Sequence, residues 1–185
     1  MKIACWSGPR NISTALMRAW SSRRDTFVSD EPFYAYYLKK TKIKHPMYKE
    51  IINNYPNTYQ KVIENITQDI PNSKIIWYQK HMAHHLIDMK TIDWIKDFYN
   101  FFLIRHPKNV INSYVKKNDL KSIDELGYPQ QWKLMEYLRE NKKDVIVIDS
   151  SILLKNPKKI LSDWCKYLNI EFHETMLKWD KGPYS

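Results

Sequence analysis

The 185-residue chain is 43% hydrophobic, enough to build one good-sized core, and we expect a single domain over residues 1–185. No apolar run approaches the roughly 20 residues of a membrane-spanning helix, and the N-terminus lacks the pattern of a signal peptide, so we expect a cytoplasmic protein. The net charge of +10 favours an anionic partner. Because the lysines fall in separate runs at 39–44, 116–121 and 155–159, the sequence favours a small anionic ligand over nucleic acid.

Alternating strand and helix patterns run along the chain. Short apolar segments predict five strands, at Lys2–Trp6, Thr26–Ser29, Lys74–Tyr78, Phe101–Ile104 and Asp144–Ile148. Helical spacing predicts helices from about Ser13 and over Ala83–Met89, Ile92–Phe98, Pro107–Lys117, Gln130–Asn141 and Pro157–Leu168. Residues 36–71 are expected to be a mainly helical insertion near the substrate side. Apolar strands separated by helices predict a parallel sheet covered on both faces.

The most informative segment is SGPRNISTAL, residues 7–16, between the first predicted strand and helix. Ser13 and Thr14 favour a helix start, where backbone N–H groups without intrahelical partners can meet an anion, and Arg10 adds a positive charge. The segment lacks the Gly-Lys-Ser/Thr ending of a Walker A motif. An ordinary capped helix would also fit this segment taken alone.

Two further segments follow in an informative order: FLIRHPKNVINSY at 102–114 and the stretch 147–170. With the loop at 7–16 they resemble the sulfotransferase family, in the form of a short bacterial-type member. The resemblance covers nearly the whole chain and implies an α/β, three-layer P-loop NTPase-like fold with a central parallel sheet of about five strands. It also implies that 3′-phosphoadenosine 5′-phosphosulfate (PAPS) is the co-substrate, that no metal is needed, and that a hydroxyl or amine of a small molecule or carbohydrate accepts the sulfuryl group.

The resemblance also assigns nucleotide-binding residues. The loop that grips the 5′-phosphate and sulfate corresponds to Arg10, Asn11, Ile12, Ser13, Thr14 and Ala15, with Arg10 where many members have Lys. Arg105 and Ser113 correspond to the pair that holds the 3′-phosphate. Ala15 stands where many members carry a tryptophan that stacks on adenine. The family's C-terminal loop of glycine and lysine has no evident counterpart near Gly182, which predicts a more open nucleotide site.

The resemblance leaves two candidates for the catalytic base. Lys80 and His81 are expected directly after the third strand, where the family often places a proton-accepting His and a Lys that steadies the leaving phosphate. His81 is the first candidate because imidazole titrates near neutrality. Glu31 competes, since DEPF at 30–33 resembles a glutamate-proline element in which the carboxylate serves as base or binds the acceptor. His81 could instead be a surface histidine and Glu31 a helix cap.

Other functions stay open at this level. His84 and His85 form a His-x-x-His-His cluster with His81, but no acidic or cysteine partner is evident nearby, so we expect no metal. A P-loop small-molecule kinase would share the fold but needs the missing Lys-Ser/Thr ending. A catalytically inactive nucleotide-binding protein would keep Arg105 and Ser113. The sequence identifies neither the acceptor nor the oligomeric state.

Overall fold

A computed structural model of the protein describes residues 1–43, 45–89 and 91–179, so that Lys44, in the lysine run at 39–44, and Gly182 lie outside the described residues. Within the described part of the chain, one parallel sheet has the strand order β2-β3-β1-β4-β5. Its strands are β1 (Lys2–Ser7), β2 (Thr26–Asp30), β3 (Ile76–Met82), β4 (Tyr99–Ile104) and β5 (Ile146–Asp149). The predicted five-stranded parallel sheet is therefore confirmed.

The helices of the described residues lie between these strands or follow the last of them. They are α1 (Ser13–Ser21), α2 (Tyr34–Thr41), α3 (Tyr48–Asn54), α4 (Tyr59–Thr67), α5 (Pro107–Tyr114), α6 (Tyr128–Glu140), α7 (Ser150–Lys155) and α8 (Pro157–Tyr167). None of them is long and apolar enough to cross a membrane. The short helix α7 was not predicted; the Asp149 side chain caps it by accepting from the N–H groups of Ser151 and Ile152.

The α-helices predicted between β3 and β4 are wrong. The described residues there form only short 3-10 helices, Ala83–His85 and Asp93–Asp97. Each predicted segment was seven residues long, too short for helix propensity to decide the conformation without packing. Leu86 and Ile92 reach the core from irregular backbone, and Ile95 reaches it from the second of these short helices.

Successive side chains of a strand point to opposite faces of the sheet, so the core has two halves, one on each face. On β1, Ile3 and Cys5 pack with buried residues of α1 and α8. Ala4 and Trp6 face the other way and pack with buried residues of α4 and α6. The molecule therefore has three layers, helix, sheet and helix, as predicted.

The end of β3 differs from the prediction in a way that matters for the site. The strand was expected to end at Tyr78, with Lys80 and His81 beyond it, but it runs to Met82. Its polar residues stay in the sheet because Lys80 pairs in register with Cys5 on one side and Asp30 on the other. Since neighbouring residues of a strand point to opposite faces, Lys80 and His81 project into different layers.

The loop after β1 packs closely against the turn that precedes α6. A Cβ added at Gly8 would lie 2.1 Å from the backbone oxygen of Leu126, so only glycine fits without a shift of the backbone. We expect Gly8→Ala to lower the free energy of unfolding by about 1–3 kcal/mol, as overpacking does. Pro9→Ala in the same loop is the control, with a loss below about 1 kcal/mol. Equal urea midpoints for Gly8→Ala and the wild type would contradict this packing.

Candidate functional site

The loop between β1 and α1 is held in an unusual backbone conformation. Arg10 and Ile12 have positive φ angles of 64° and 61°, which is rare for a β-branched residue such as Ile12. Such a conformation costs on the order of 1–3 kcal/mol and persists only where the surroundings enforce it. Helix α1 begins after Ile12 without a side-chain cap and without acidic residues in its first turn. Loops with left-handed residues that lead into a helix form concavities of backbone N–H groups that suit anions.

Two buried amides fix the ends of the central strands beside this loop. Nδ2 of Asn11 donates to the backbone oxygen of Leu103 at 3.2 Å. Nε2 of Gln131 on α6 donates to the backbone oxygens of Trp6 at 2.9 Å and Leu103 at 3.2 Å. Sequence reasoning missed Gln131. The available signal was a polar residue on the same helical stripe as the buried residues Leu134, Met135 and Leu138.

Two arginines from different strand-to-helix turns meet beside the loop. Nε of Arg10 donates to Oγ of Ser113 at 2.9 Å, and Nη1 of Arg105 donates to the backbone oxygen of Arg10 at 2.9 Å. A cleft of about 320 Å³, here called the arginine cleft, is lined by Arg10, Asn11, Ile12, Ser13, Thr14, Arg105 and Ser113. Of the predicted nucleotide-binding residues, Ala15 alone does not line it. Neither guanidinium forms an ion pair with a carboxylate of the described residues.

Lys80 lies next to the arginine cleft. Its side chain is only 4% exposed. The ammonium donates to Oδ1 of Asp30 at 2.7 Å, to Oε1 of Glu31 at 2.8 Å and to Oγ1 of Thr14 at 3.4 Å. Burial alone would lower the pKa of Lys80, but Glu31 and Asp30 raise it above its ordinary value, so the ammonium stays charged. Lys80 thus connects the first turn of α1 with the two carboxylates at the end of β2.

A second cleft opens at the end of β2, with a volume of about 560 Å³. Asp30 and Glu31 line it, and side chains of the segment that holds α2, α3 and α4 give it an apolar wall. We call it the acidic cleft. Burial and the nearby carboxylate of Glu31 raise the pKa of Tyr34, also in the lining, to about 12, so its phenol stays neutral at pH 7. This cleft joins carboxylates, which can accept a proton, to an apolar surface.

His81 lies on the other face of β3, in the core. It is 1% exposed, its ring stacks on Trp6 at 4.4 Å between centroids, and Nε2 lies 3.2 Å from Oε1 of Gln79. Burial lowers the pKa of His81 to about 3. An imidazole in this position is neutral at pH 7 but is enclosed by protein, which argues against its role as the proton acceptor.

His84 and His85 are brought together at the end of β3, with ring centroids 4.4 Å apart. Nδ1 of His85 lies 3.9 Å from Oε2 of Glu31. Burial lowers the pKa of His84 to about 4, and it lowers that of His85 with further contributions from His84, Lys80 and His81. No group of three His, Cys, Asp or Glu residues in the described ranges is arranged to hold a metal ion.

The parallel sheet and the anion-suited loop after β1 define a protein of the P-loop-like α/β class. Three solved sulfotransferase structures have this fold. The sulfotransferase domain from the curacin biosynthetic pathway has a TM-score of 0.62 at 16% identity, over 98% of this chain and 78% of that one. The sulfotransferase domain of the Synechococcus PCC 7002 olefin synthase has a TM-score of 0.59 at 15% identity, and the match covers 96% of this chain and 76% of that one. The sulfotransferase from Alicyclobacillus acidocaldarius has a TM-score of 0.62 at 10% identity, and the match covers 98% of this chain and 87% of that one.

The family model described as "Sulfotransferase domain" matches residues 1–185. The chain therefore belongs to the sulfotransferase domain family, as its motifs predict. Two Arabidopsis thaliana relatives, named branched-chain-amino-acid aminotransferase-like proteins 2 and 1, are 32% and 33% identical over 181 residues. The matches cover 98% of this chain and 32% of each relative. The chain thus spans about a third of their length, and their names refer to the whole proteins.

The lowered pKa values of the buried His81 and His85 and the partly buried His84 predict a loss of stability in mild acid. Below their ordinary pKa of about 6.5 the unfolded chain takes up protons that His81, His84 and His85 resist in the folded protein, so the free energy of unfolding falls as the pH falls. Each such histidine contributes up to about 1.4 kcal/mol per pH unit, down to about pH 4 for His84 and pH 3 for His81.

Urea unfolding at pH 7.5 and pH 5 measures this effect. The free energy of unfolding of His84→Asn should differ less between the two pH values than that of the wild type. His45→Asn, which changes an exposed histidine, should match the wild type. A wild-type free energy of unfolding that is the same at both pH values would show that the buried rings titrate normally.

Proposed function

We propose that the protein is a PAPS-dependent sulfotransferase that transfers a sulfuryl group to a hydroxyl or amine of a small molecule. The observation that carries this proposal is the meeting of Arg10 and Arg105 in one cleft, where each follows the carboxyl end of a central strand. Open α/β sheets bind ligands at this edge. Guanidinium groups match the oxygens of phosphate in pairs, and their lack of carboxylate partners in the described residues leaves them available to an anion.

The residues of the arginine cleft fit a nucleotide that carries phosphate at two places. The first turn of α1, with Ser13 and Thr14, suits one phosphate, and Arg105 with Ser113 suits the other. The buried Oδ1 of Asn11 has no hydrogen-bond partner in the described residues and can accept from a ligand. When bound, the nucleotide would supply a sulfuryl group attached to phosphate; an acceptor displaces that phosphate as a new bond to sulfur forms and the old sulfur–oxygen bond breaks.

Glu31 is the candidate base that the geometry favours over His81. Its side chain is 28% exposed and lines the acidic cleft, whereas His81 is enclosed in the core. A carboxylate is ionised near neutral pH and can take the proton from an acceptor hydroxyl or amine as its oxygen or nitrogen attacks. The apolar wall of the acidic cleft would hold the body of the acceptor.

Lys80 is placed to serve both clefts. Its ammonium contacts Thr14 on the side of the nucleotide and Glu31 on the side of the acceptor. A fixed, buried positive charge stabilises negative charge that develops on a departing phosphate, and it does so without reorganisation during the reaction. We infer that Lys80 and Arg10 share this role.

The nucleotide site is tested by Arg105→Ala. The change removes a charged hydrogen-bond donor, so we expect binding of the desulfated nucleotide to weaken by about 1.5–3 kcal/mol in a calorimetric titration. Lys108→Ala is the control, because it removes one positive charge from the exposed surface of α5 outside the lining of the arginine cleft. Equal affinities for Arg105→Ala and the wild type would contradict the assignment.

The base is tested by Glu31→Gln and His81→Asn. If Glu31 is the base, its variant should lose turnover by about 10² to 10⁴ while nucleotide affinity changes little. His81→Asn should retain most of the turnover of the folded enzyme. Glu50→Gln, an exposed change on α3, is the control.

Two outcomes would count against this mechanism. Full turnover by Glu31→Gln on a confirmed acceptor would exclude Glu31 as the base. Nucleotide binding by the wild type without transfer to a broad set of alcohols and amines would favour a nucleotide-binding protein without catalytic activity.

A further inference from the structure

Glu31 lies at a strained point of the backbone. Its φ angle is 49°, in the left-handed region that residues other than glycine rarely adopt. Two backbone hydrogen bonds hold this conformation: the N–H of Glu31 donates to the oxygen of Lys80 at 2.9 Å, and the N–H of Tyr34 donates to the oxygen of Glu31 at 2.9 Å. Such strain persists only where the surroundings enforce it, and it is concentrated at functional sites. The backbone therefore carries the Glu31 carboxylate to a defined place.

The two oxygens of the Glu31 carboxylate face different partners. Oε1 accepts from the ammonium of Lys80 at 2.8 Å. Oε2 faces Nδ1 of His85 at 3.9 Å, which is longer than the roughly 3 Å of a hydrogen bond. Nδ1 of His85 is buried and has no hydrogen-bond partner in the part of the chain that the structure describes. A buried ring nitrogen and a carboxylate oxygen therefore face each other across a short gap.

Aromatic packing holds the ring of His85 in place. The residue is 3% exposed, and its ring centroid lies 5.1 Å from that of Tyr34, 4.6 Å from that of Tyr37 and 4.4 Å from that of His84. The side chain of Glu31 is 28% exposed and has more room to move. A shift of about 1 Å would bring Oε2 within hydrogen-bond distance of Nδ1. Hydrogen bonds of catalytic groups are often long in the free enzyme and shorten when the substrate binds.

Resting on the proposed function, we propose that His85 is a positioning residue for Glu31. When the nucleotide and the acceptor are bound, the N–H at Nδ1 donates to Oε2 while Lys80 holds Oε1. Each carboxylate oxygen can accept two hydrogen bonds, so Oε2 keeps a lone pair for the proton of the acceptor. That proton moves from the acceptor oxygen or nitrogen to Glu31 as the new bond to sulfur forms, and His85 keeps its own proton throughout.

The charge state of His85 suits this role. Burial lowers the pKa of His85, and the neighbouring His84, Lys80 and His81 lower it further, so the ring is neutral at pH 7. A neutral ring carries one N–H, and the carboxylate in front of Nδ1 favours the tautomer with the proton at Nδ1. A neutral donor orients the carboxylate but lowers its basicity less than a second cation beside Lys80 would.

The tautomer of His85 can be measured without an acceptor. In protein that contains isotope-labelled histidine, the protonated and unprotonated nitrogens of a neutral ring give well-separated signals in nitrogen NMR. We expect the wild type with the desulfated nucleotide bound to carry the His85 proton at Nδ1. The signals are assigned by their absence from the spectrum of His85→Asn. A proton at Nε2 instead would overturn the proposal.

Two variants of His85 separate positioning from packing. His85→Asn loses the ring but retains an N–H near the position of Nδ1, whereas His85→Phe retains a ring that packs against Tyr34 and Tyr37 but has no donor. On an acceptor for which transfer is measured, His85→Phe should lose turnover by about 10- to 100-fold, the effect of one lost hydrogen bond to a charged group. His85→Asn should lose less, and both variants should bind the desulfated nucleotide with wild-type affinity. If His85 only filled space, the order of the two turnovers would be reversed.

His84→Phe is the matched control. It makes the same change at the neighbouring ring, which forms no ion pair or hydrogen bond with Glu31 within the described ranges, so its turnover should stay near that of the wild type. In the background of Glu31→Gln, His85→Phe should cause little further loss, because the effects of residues that act as one unit do not add.

The outcomes distinguish this inference from the proposed function. If transfer is measured but His85→Phe matches the wild type or exceeds His85→Asn, the role of His85 is wrong and the proposed function stands. Equal losses for His85→Phe and His84→Phe would likewise assign His85 to packing alone. If the nucleotide does not bind, or binds without transfer to any acceptor, the proposed function fails and the role of His85 fails with it, whatever the tautomer.

Discussion

The buried ammonium of Lys80 is the contact on which the arrangement of both clefts depends. A charge that is 4% exposed is tolerated only with close partners, because desolvation of an unpaired ion costs several kcal/mol. Its partners come from two other parts of the chain: Asp30 ends β2 and Glu31 follows it, and Thr14 belongs to α1. The hydrogen bonds of this one ammonium therefore fix the carboxylates at the end of β2 relative to the start of α1.

The alternation of side chains along β3 then separates two residues that are neighbours in sequence. Lys80 points toward α1 and meets charged partners, whereas His81 points into the aromatic core against Trp6. The first residue keeps its charge because carboxylates surround it, and the second is held neutral because burial lowers its pKa. Their opposite environments support the proposal that Lys80 stabilises negative charge and that Glu31, rather than His81, is the base.

Part of this site could be predicted from local patterns. The loop at 7–16 and the segment around Arg105 each follow an apolar strand, and parallel strands bring their carboxyl ends to one edge. That reasoning anticipates the meeting of Arg10, Arg105 and Ser113. It could not find Gln131, whose amide bonds to Trp6 and Leu103 across more than one element, because its role appears only when α6 packs on the sheet.

The sequence by itself determined the class of fold and the loop suited to an anion, because apolar periodicity and helix-start residues act over short stretches of chain. Tertiary structure alone decided that β3 extends through Lys80 and His81, since pairing with strands on both sides keeps polar residues in the sheet. It also replaced the α-helices predicted at 83–89 and 92–98 by loops and short 3-10 helices, which bury Leu86 and Ile95. Burial and strand pairing depend on residues that are distant in sequence, so a local sequence pattern cannot predict them.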